Sequence, residues 1–239
     1  MMVVIIGIAT FVATLLGGLF ALRFKDRLHL ILGFSAGAVI GVAFFDLLPE
    51  SIVLGGGAYD VATITSIAAA GFAAYLMLDR FFALHQHADD DDHGVTRRGK
   101  LGAGSLSVHS FLDGTAIGLA FQVSAAVGAM VAVAVLVHDF SDGINTVNMV
   151  IKNNGKRGQA LRWLAMDAIA PVIGVMSTLF YTLPESVLGI VLAVFSGFFL
   201  YIGASDLLPE SHHAHPTKWT TVVTVAGIAV LYLAIRIAG

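Results

Sequence analysis

Apolar residues run along this chain in long stretches, and the polar residues between them come in short groups. The stretches lie at about 3–22, 28–48, 61–84, 101–122, 126–151, 160–182, 187–208 and 219–238. Each is near the ~20 residues that an α-helix needs to cross the hydrocarbon of a bilayer. The breaks are Arg23–Arg27, Pro49–Asp60, a long polar stretch at 85–100, a minimal turn near Ser124, Lys152–Gly158, Thr182–Ser186 and Pro209–Trp219. The pattern predicts an all-α, polytopic membrane protein of eight transmembrane helices.

Composition agrees. The chain has 239 residues, 57% of them hydrophobic and 12% charged, against about 25% charged in a soluble domain. Its mean hydropathy is +0.87. Such a chain cannot coat a water-soluble globule, so its expected surroundings are the lipid bilayer. A net charge of -3 argues against a nucleic-acid partner. With no cysteine, any metal site must be built from His, Asp, Glu, Asn or Met. The apolar N-terminus has no basic region before it and reads as a first span rather than a signal peptide.

The basic residues set an orientation. Arg23, Lys25, Arg27, Arg80, Arg97, Arg98, Lys100, Lys152, Lys156, Arg157, Arg162 and Lys218 all fall in or beside alternate connections, and Arg236 alone falls on the other side. The positive-inside rule then places both termini outside the cytoplasm.

Two short strings occur twice. Phe-Phe-Asp-Leu-Leu-Pro-Glu-Ser (44–51) closes the second stretch, and Ala-Ser-Asp-Leu-Leu-Pro-Glu-Ser (204–211) closes the seventh. By the orientation above they have opposite polarity, the mark of an inverted repeat. The second echo is His-Ser-Phe-Leu-Asp-Gly (109–114) in the fourth helix and His-Asp-Phe-Ser-Asp-Gly (138–143) in the fifth. The layout read from these echoes is 3+2+3, an inverted-repeat bundle around two central helices.

The second echo also carries chemistry. His109 with Asp113, and His138 with Asp142, stand at i and i+4, on one helix face. Ser110 and Asp139 each follow their His by one position, about 100° round the axis. Asp167 lies near the centre of the sixth stretch, one turn before Pro171. Ionised groups at such depth cost several kcal/mol unless paired or coordinated (about 2.5–3.5 on insertion scales). They must therefore face an internal cavity. Imidazole nitrogen with carboxylate oxygen suits Zn²⁺, Fe²⁺ or Mn²⁺, whose charge offsets the carboxylates. A hydrogen-bonded His–Asp pair is the other reading of either half alone.

Asn145 and Met149 continue the His138–Asp142 face toward the cytoplasmic end and would line a path there, or simply pack. The stretch at 85–100 holds His85, His87, Asp89, Asp90, Asp91, Asp92 and His93, and a second group holds His212, His213 and His215. These groups read either as a solvated, flexible cytoplasmic loop and helix end or as weak metal-collecting segments.

At these residues the chain resembles the ZIP (Zrt/Irt-like) divalent-metal transporters over nearly its whole length. His-Ser-Phe-Leu-Asp-Gly is similar to the family's fourth-helix His-Asn-x-x-Asp-Gly signature, and His-Asp-Phe-Ser-Asp-Gly to its fifth-helix signature. The Leu-Leu-Pro-Glu ends and the His-bearing loop fit as well. The resemblance implies one transmembrane transporter domain with a two-metal site between the fourth and fifth helices. His109, Asp113, His138 and Asp142 would hold the main position, with Ser110 and Asp139 at a second. It further implies transport of a divalent ion (Zn, with Fe, Mn and Cd as related cargo) into the cytoplasm, and it admits a homodimer. Ser110 stands where Asn is usual, Asp where Glu is frequent, and Ala170 where some relatives carry Glu before the sixth-helix proline; Asp167 is the candidate replacement. The rival readings are an intramembrane metal-dependent hydrolase and a metal-selective channel. The echoes favour a carrier, because a hydrolase needs no symmetry across the membrane plane.

Overall fold

The computed structural model describes residues 2–22, 28–87, 92–213 and 218–238. Among the described residues there are helices and no strands. Helix α1 is Met2–Ala21. Helix α2 comprises Leu28–Val42, a π-helical turn at Ala43–Leu47, and Leu48–Gly55. Helices α3, α4 and α5 are Val61–His87, Asp92–Val123 and Ala125–Lys152. Helix α6, Arg157–Ser177, ends in a 3₁₀ turn at Thr178–Phe180. Helix α7 comprises Glu185–Tyr201, a π-helical turn at Ile202–Leu207, and Leu208–His213, and α8 is Lys218–Ala238. Seven of the eight are long and apolar enough to cross a membrane. The eighth, α4, carries His109, Ser110, Asp113 and Gln122, which lower its hydropathy. The all-α polytopic reading therefore holds. Helices α3 and α4 reach further into the polar stretch at 85–100 than the apolar pattern alone suggests.

Local chemistry fixes several helix starts. The Asp60 carboxylate accepts the Thr63 N–H at 2.7 Å at the head of α3, and its hydrogen bonds to the Thr63 side chain and backbone hold its carboxyl below the usual range. The minimal turn between α4 and α5 works because the Ser124 hydroxyl accepts the Val127 N–H at 3.1 Å, an N-cap that satisfies one orphan donor.

The first echo folds the same way twice. Pro49 and Pro209 lack an N–H, and their rings clash with the carbonyl four residues earlier. In each copy the helix widens to a π turn just before the proline. Leu48 N–H reaches back five residues to Ala43 O, and Leu208 N–H to Gly203 O. The serine after the motif closes the turn identically: Ser51 Oγ donates to Leu48 O and Ser211 Oγ to Leu208 O, both at 2.7 Å.

The helices group into two compact units. The first comprises Met1–Asp26, Met77–Thr115 and Asp139–Ser177, and the second Arg27–Leu76, Ala116–His138 and Thr178–Gly239. Within the second unit, α2 and α7 run antiparallel: Gly189 abuts Ser51 and Gly55, while Gly203 abuts Ala36 and Ile40. Gly37 lies on the Thr224 carbonyl of α8, and Gly227 of α8 on the Phe34 carbonyl. In the other copy Gly197 lies on the Ala68 carbonyl of α3, and Gly71 of α3 on the Val194 carbonyl. Positions 34 and 37 stand to 194 and 197 as 44 stands to 204 in the echo. The α2–α8 contact is thus repeated, residue for residue, as α7–α3.

The first unit repeats in the same manner. Gly114 lies on the Pro171 carbonyl and Gly174 on the Phe111 carbonyl, joining α4 to α6. Gly143 lies on the Thr14 carbonyl and Gly17 on the Phe140 carbonyl, joining α5 to α1. Phe111 and Gly114 stand to Phe140 and Gly143 as His109 stands to His138. Without Cβ atoms these backbones approach closely, and dispersion and shape drive helix packing in lipid.

Gly37→Ala and Gly197→Ala are equivalent lesions and should each lower stability by about 1–3 kcal/mol, the usual cost of overpacking. Gly57→Ala, with open space around it, is the control. Thermal unfolding in detergent tests this, and a Gly37→Ala melt indistinguishable from that of Gly57→Ala would refute the contact.

Candidate metal centre

The second echo puts its polar groups on two helices. Within the first unit, α4 supplies His109, Ser110 and Asp113, α5 supplies Asp139, Asp142 and Thr146, and α6 supplies Asp167. All are buried. No Lys or Arg occurs between residues 101 and 151, so no basic side chain of α4 or α5 in this stretch can balance the carboxylates.

The i,i+4 expectation is met on α4. His109 Nε2 is 3.1 Å from Asp113 Oδ2 and 3.4 Å from Asp142 Oδ2 on α5. One imidazole edge therefore gathers carboxylates from both echoes. On the continuous α5 helix His138 stands one turn before Asp142. One ligand atom from each of His109, Asp113, His138 and Asp142 falls within 4.8 Å of the others. A tetrahedral ion with bonds of about 2.1 Å has ligand–ligand edges of about 3.4 Å. The two His109 contacts already sit near that edge length. Two nitrogens and two carboxylate oxygens form a donor set suited to zinc and its neighbours.

His138 is fully buried, and its Nδ1 lies 2.9 Å from the Ala134 carbonyl. A carbonyl only accepts, so Nδ1 carries the proton in this contact, which leaves Nε2 as the ring atom available to a metal in the neutral imidazole. A ligating histidine typically has its other ring N–H held in this way.

The remaining predicted residues behave differently from one another. Asp167 is held by two hydroxyls: Ser110 Oγ donates to Oδ1 at 2.8 Å, and Thr146 Oγ1 to Oδ2 at 2.7 Å. Ser110 and Asp167 are thus partners of each other, outside the four-residue group. Asp139 is fully buried, and among the described residues neither of its oxygens has a hydrogen-bond partner. Asn145 and Met149 are half-buried, and Met149 packs over Gly102. The side chains of His85, His87, Asp89, Asp90, Asp91, Asp92, His93, His212, His213 and His215 lie outside the described residues.

Thr146 escaped the sequence reading. Extending the His138–Asp142 face by one more step of four would have reached it, whereas steps of three and seven lead to Asn145 and Met149.

Comparison with known proteins follows the same residues. The family model described as ZIP Zinc transporter matches residues 85–234. The chain is 25% identical over 222 residues to the zinc transporter ZupT of Corynebacterium aurimucosum, covering 86% of this chain and 84% of that protein. It is 27% identical over 176 residues to the zinc transporter YKE4 of Saccharomyces cerevisiae, covering 64% of this chain and half of YKE4. It is 24% identical over 223 residues to the zinc transporter ZIP13 of Pongo abelii, covering 87% of this chain and 66% of ZIP13. These relatives are transporters rather than enzymes, which removes the hydrolase reading. With the match spanning most of its length and including both His–Asp helices, the chain belongs to the ZIP zinc transporter family, as an integral, multi-pass membrane protein.

Proposed function

We propose that this chain carries zinc or a closely related divalent ion across the membrane into the cytoplasm, binding it on the way at His109, Asp113, His138 and Asp142. The observation that carries this reading is the convergence of those four buried side chains, drawn from two echoed motifs, on a space the size of one ion. The family membership of the chain supports the cargo class. The direction rests on the resemblance to the ZIP transporters, which implies movement toward the cytoplasm, while the asymmetry of Lys and Arg supports a topology with both termini outside. Carboxylate and imidazole ligands without thiolate favour moderate affinity, which lets a transported ion leave again.

A second ion position beside the first is part of the proposal. Its support is Asp139, a buried carboxylate with no hydrogen-bond partner among the described residues, close to the shared Asp142. Ser110 and Asp167 would border this position, with Asp167 steadied by Thr146. Asn145 and Met149 continue toward the cytoplasm, and the His- and Asp-bearing segments at 85–93 and 212–215 are proposed as accessory collectors on that side.

His109→Ala and Asp142→Ala should each abolish saturable Zn²⁺ uptake in proteoliposomes while the protein still purifies as a monodisperse species. Wild-type uptake by either variant would sink the site assignment, and uptake that never saturates would favour a channel.

For the second position, Asp139→Ala should reduce metal stoichiometry from two ions to one, and Ser110→Asn should raise occupancy of the weaker ion. Metal titration by calorimetry reads both. Loss of all bound metal from Asp139→Ala would place Asp139 in a single shared site.

Deleting Asp89–Asp92 should leave uptake saturable, with a changed apparent KM at most. A well-folded deletion variant that carries no metal would put that segment on the obligatory path.

A further inference from the structure

His138 is held by residues that lie outside the echoed motifs. Its Nδ1–H is engaged by the Ala134 carbonyl one turn earlier on α5. That bond anchors one ring nitrogen. The Phe199 ring of α7 packs against the imidazole. It meets the imidazole with centroids 5.9 Å apart and planes 80° apart, a T-shaped contact, and it is fully buried.

The backbone of His138 is fixed as well. Ser35 Oγ of α2 donates to the Val137 carbonyl at 2.9 Å, and that carbonyl belongs to the peptide unit carrying the His138 nitrogen. Ser35 is fully buried. Helices α2, α7 and the first half of α5 all belong to the second unit, so this cradle is built from within one compact body.

We infer that Phe199 and Ser35 are positioning residues that aim Nε2 of His138 and thereby set the preference of the centre for nitrogen-favouring ions such as Zn²⁺ over oxygen-favouring ions such as Mn²⁺. The inference rests on the reading of His138 as a ligand. A ring held in one orientation presents its lone pair without further ordering. Once loosened, it binds zinc less well, while Mn²⁺, which depends more on the carboxylates, is little affected. Losing an outer partner of a ligating histidine typically costs about 10–100-fold in metal affinity.

The test is a double-mutant cycle on the full-length purified chain, read as equilibrium binding of Zn²⁺ and Mn²⁺. Phe199→Leu should weaken Zn²⁺ binding about tenfold and Mn²⁺ binding by much less. In a His138→Ala background the same substitution should leave the Zn²⁺/Mn²⁺ ratio unchanged, because contacting residues couple and independent ones add. Ser35→Ala should follow the same pattern, and it supplies the cycle if Phe199→Leu fails to fold. An equal loss for both ions, or a ratio change that persists without His138, would overturn the inference and leave Phe199 a packing residue only. Uptake by the wild-type chain is measured alongside. Absence of uptake with the binding cycle intact would count against the transport reading and not against the positioning role.

Discussion

Four buried carboxylates and two buried imidazoles share a region where the sequence from 101 to 151 provides no lysine or arginine. Helical backbones satisfy their own hydrogen bonds in lipid, but side-chain charge has to be balanced locally. The structure does this in two ways and leaves one carboxylate over. Asp167 takes two hydroxyl donors. Asp113 and Asp142 approach one imidazole edge. Asp139 has no hydrogen-bond donor among the described residues. Breaking a buried pair costs several kcal/mol, whereas a bound cation compensates several carboxylates at once. A divalent ion is therefore the group we propose to complete this arrangement.

The balance depends on close helix packing, and the same short motif provides for both. Each copy of the second echo ends in Asp-Gly. The aspartate faces the ligand group, while the next residue, about 100° further round the helix, faces a neighbour. Gly114 lies on the Pro171 carbonyl of α6, and Gly143 on the Thr14 carbonyl of α1. A side chain at either glycine would push its helix off that neighbour and rotate the adjoining aspartate away from its partners. The dipeptide thus couples ligand and packing at adjacent positions.

This explains which features were legible in the sequence. The His109–Asp113 and His138–Asp142 pairs are local, so helical spacing alone predicts them. The echo pairs also foretold repeated geometry, because like sequence in like surroundings folds alike; the two π turns and the twin Ser51 and Ser211 hydrogen bonds are that repeat made visible. The π turns themselves were not foreseen, since Pro49 and Pro209 announce a disrupted helix without saying how the disruption is absorbed. Asp167 was picked out for its depth, but its partners Ser110 and Thr146 lie 57 and 21 residues away, and no local period connects them. Phe199 and Ser35 were invisible for the same reason: their part in the site exists only through contacts with α5.

The two histidines also enter metal binding from different states. His138 has its Nδ1 proton held by a carbonyl, so Nε2 is the ring atom left for coordination. His109 presents Nε2 to two carboxylate oxygens, at 3.1 and 3.4 Å, contacts that are favourable when that nitrogen bears a proton. Coordination through the same atom needs the proton gone, and metal binding by histidine releases protons for this reason. On the proposed reading, an ion bound at Nε2 of His109 would sit where these carboxylate contacts lie, and at His138 it would meet a ring whose Nδ1 already has the Ala134 carbonyl as partner. Local spacing thus brings His109 to its carboxylates, whereas the setting of His138 depends on helices distant in sequence.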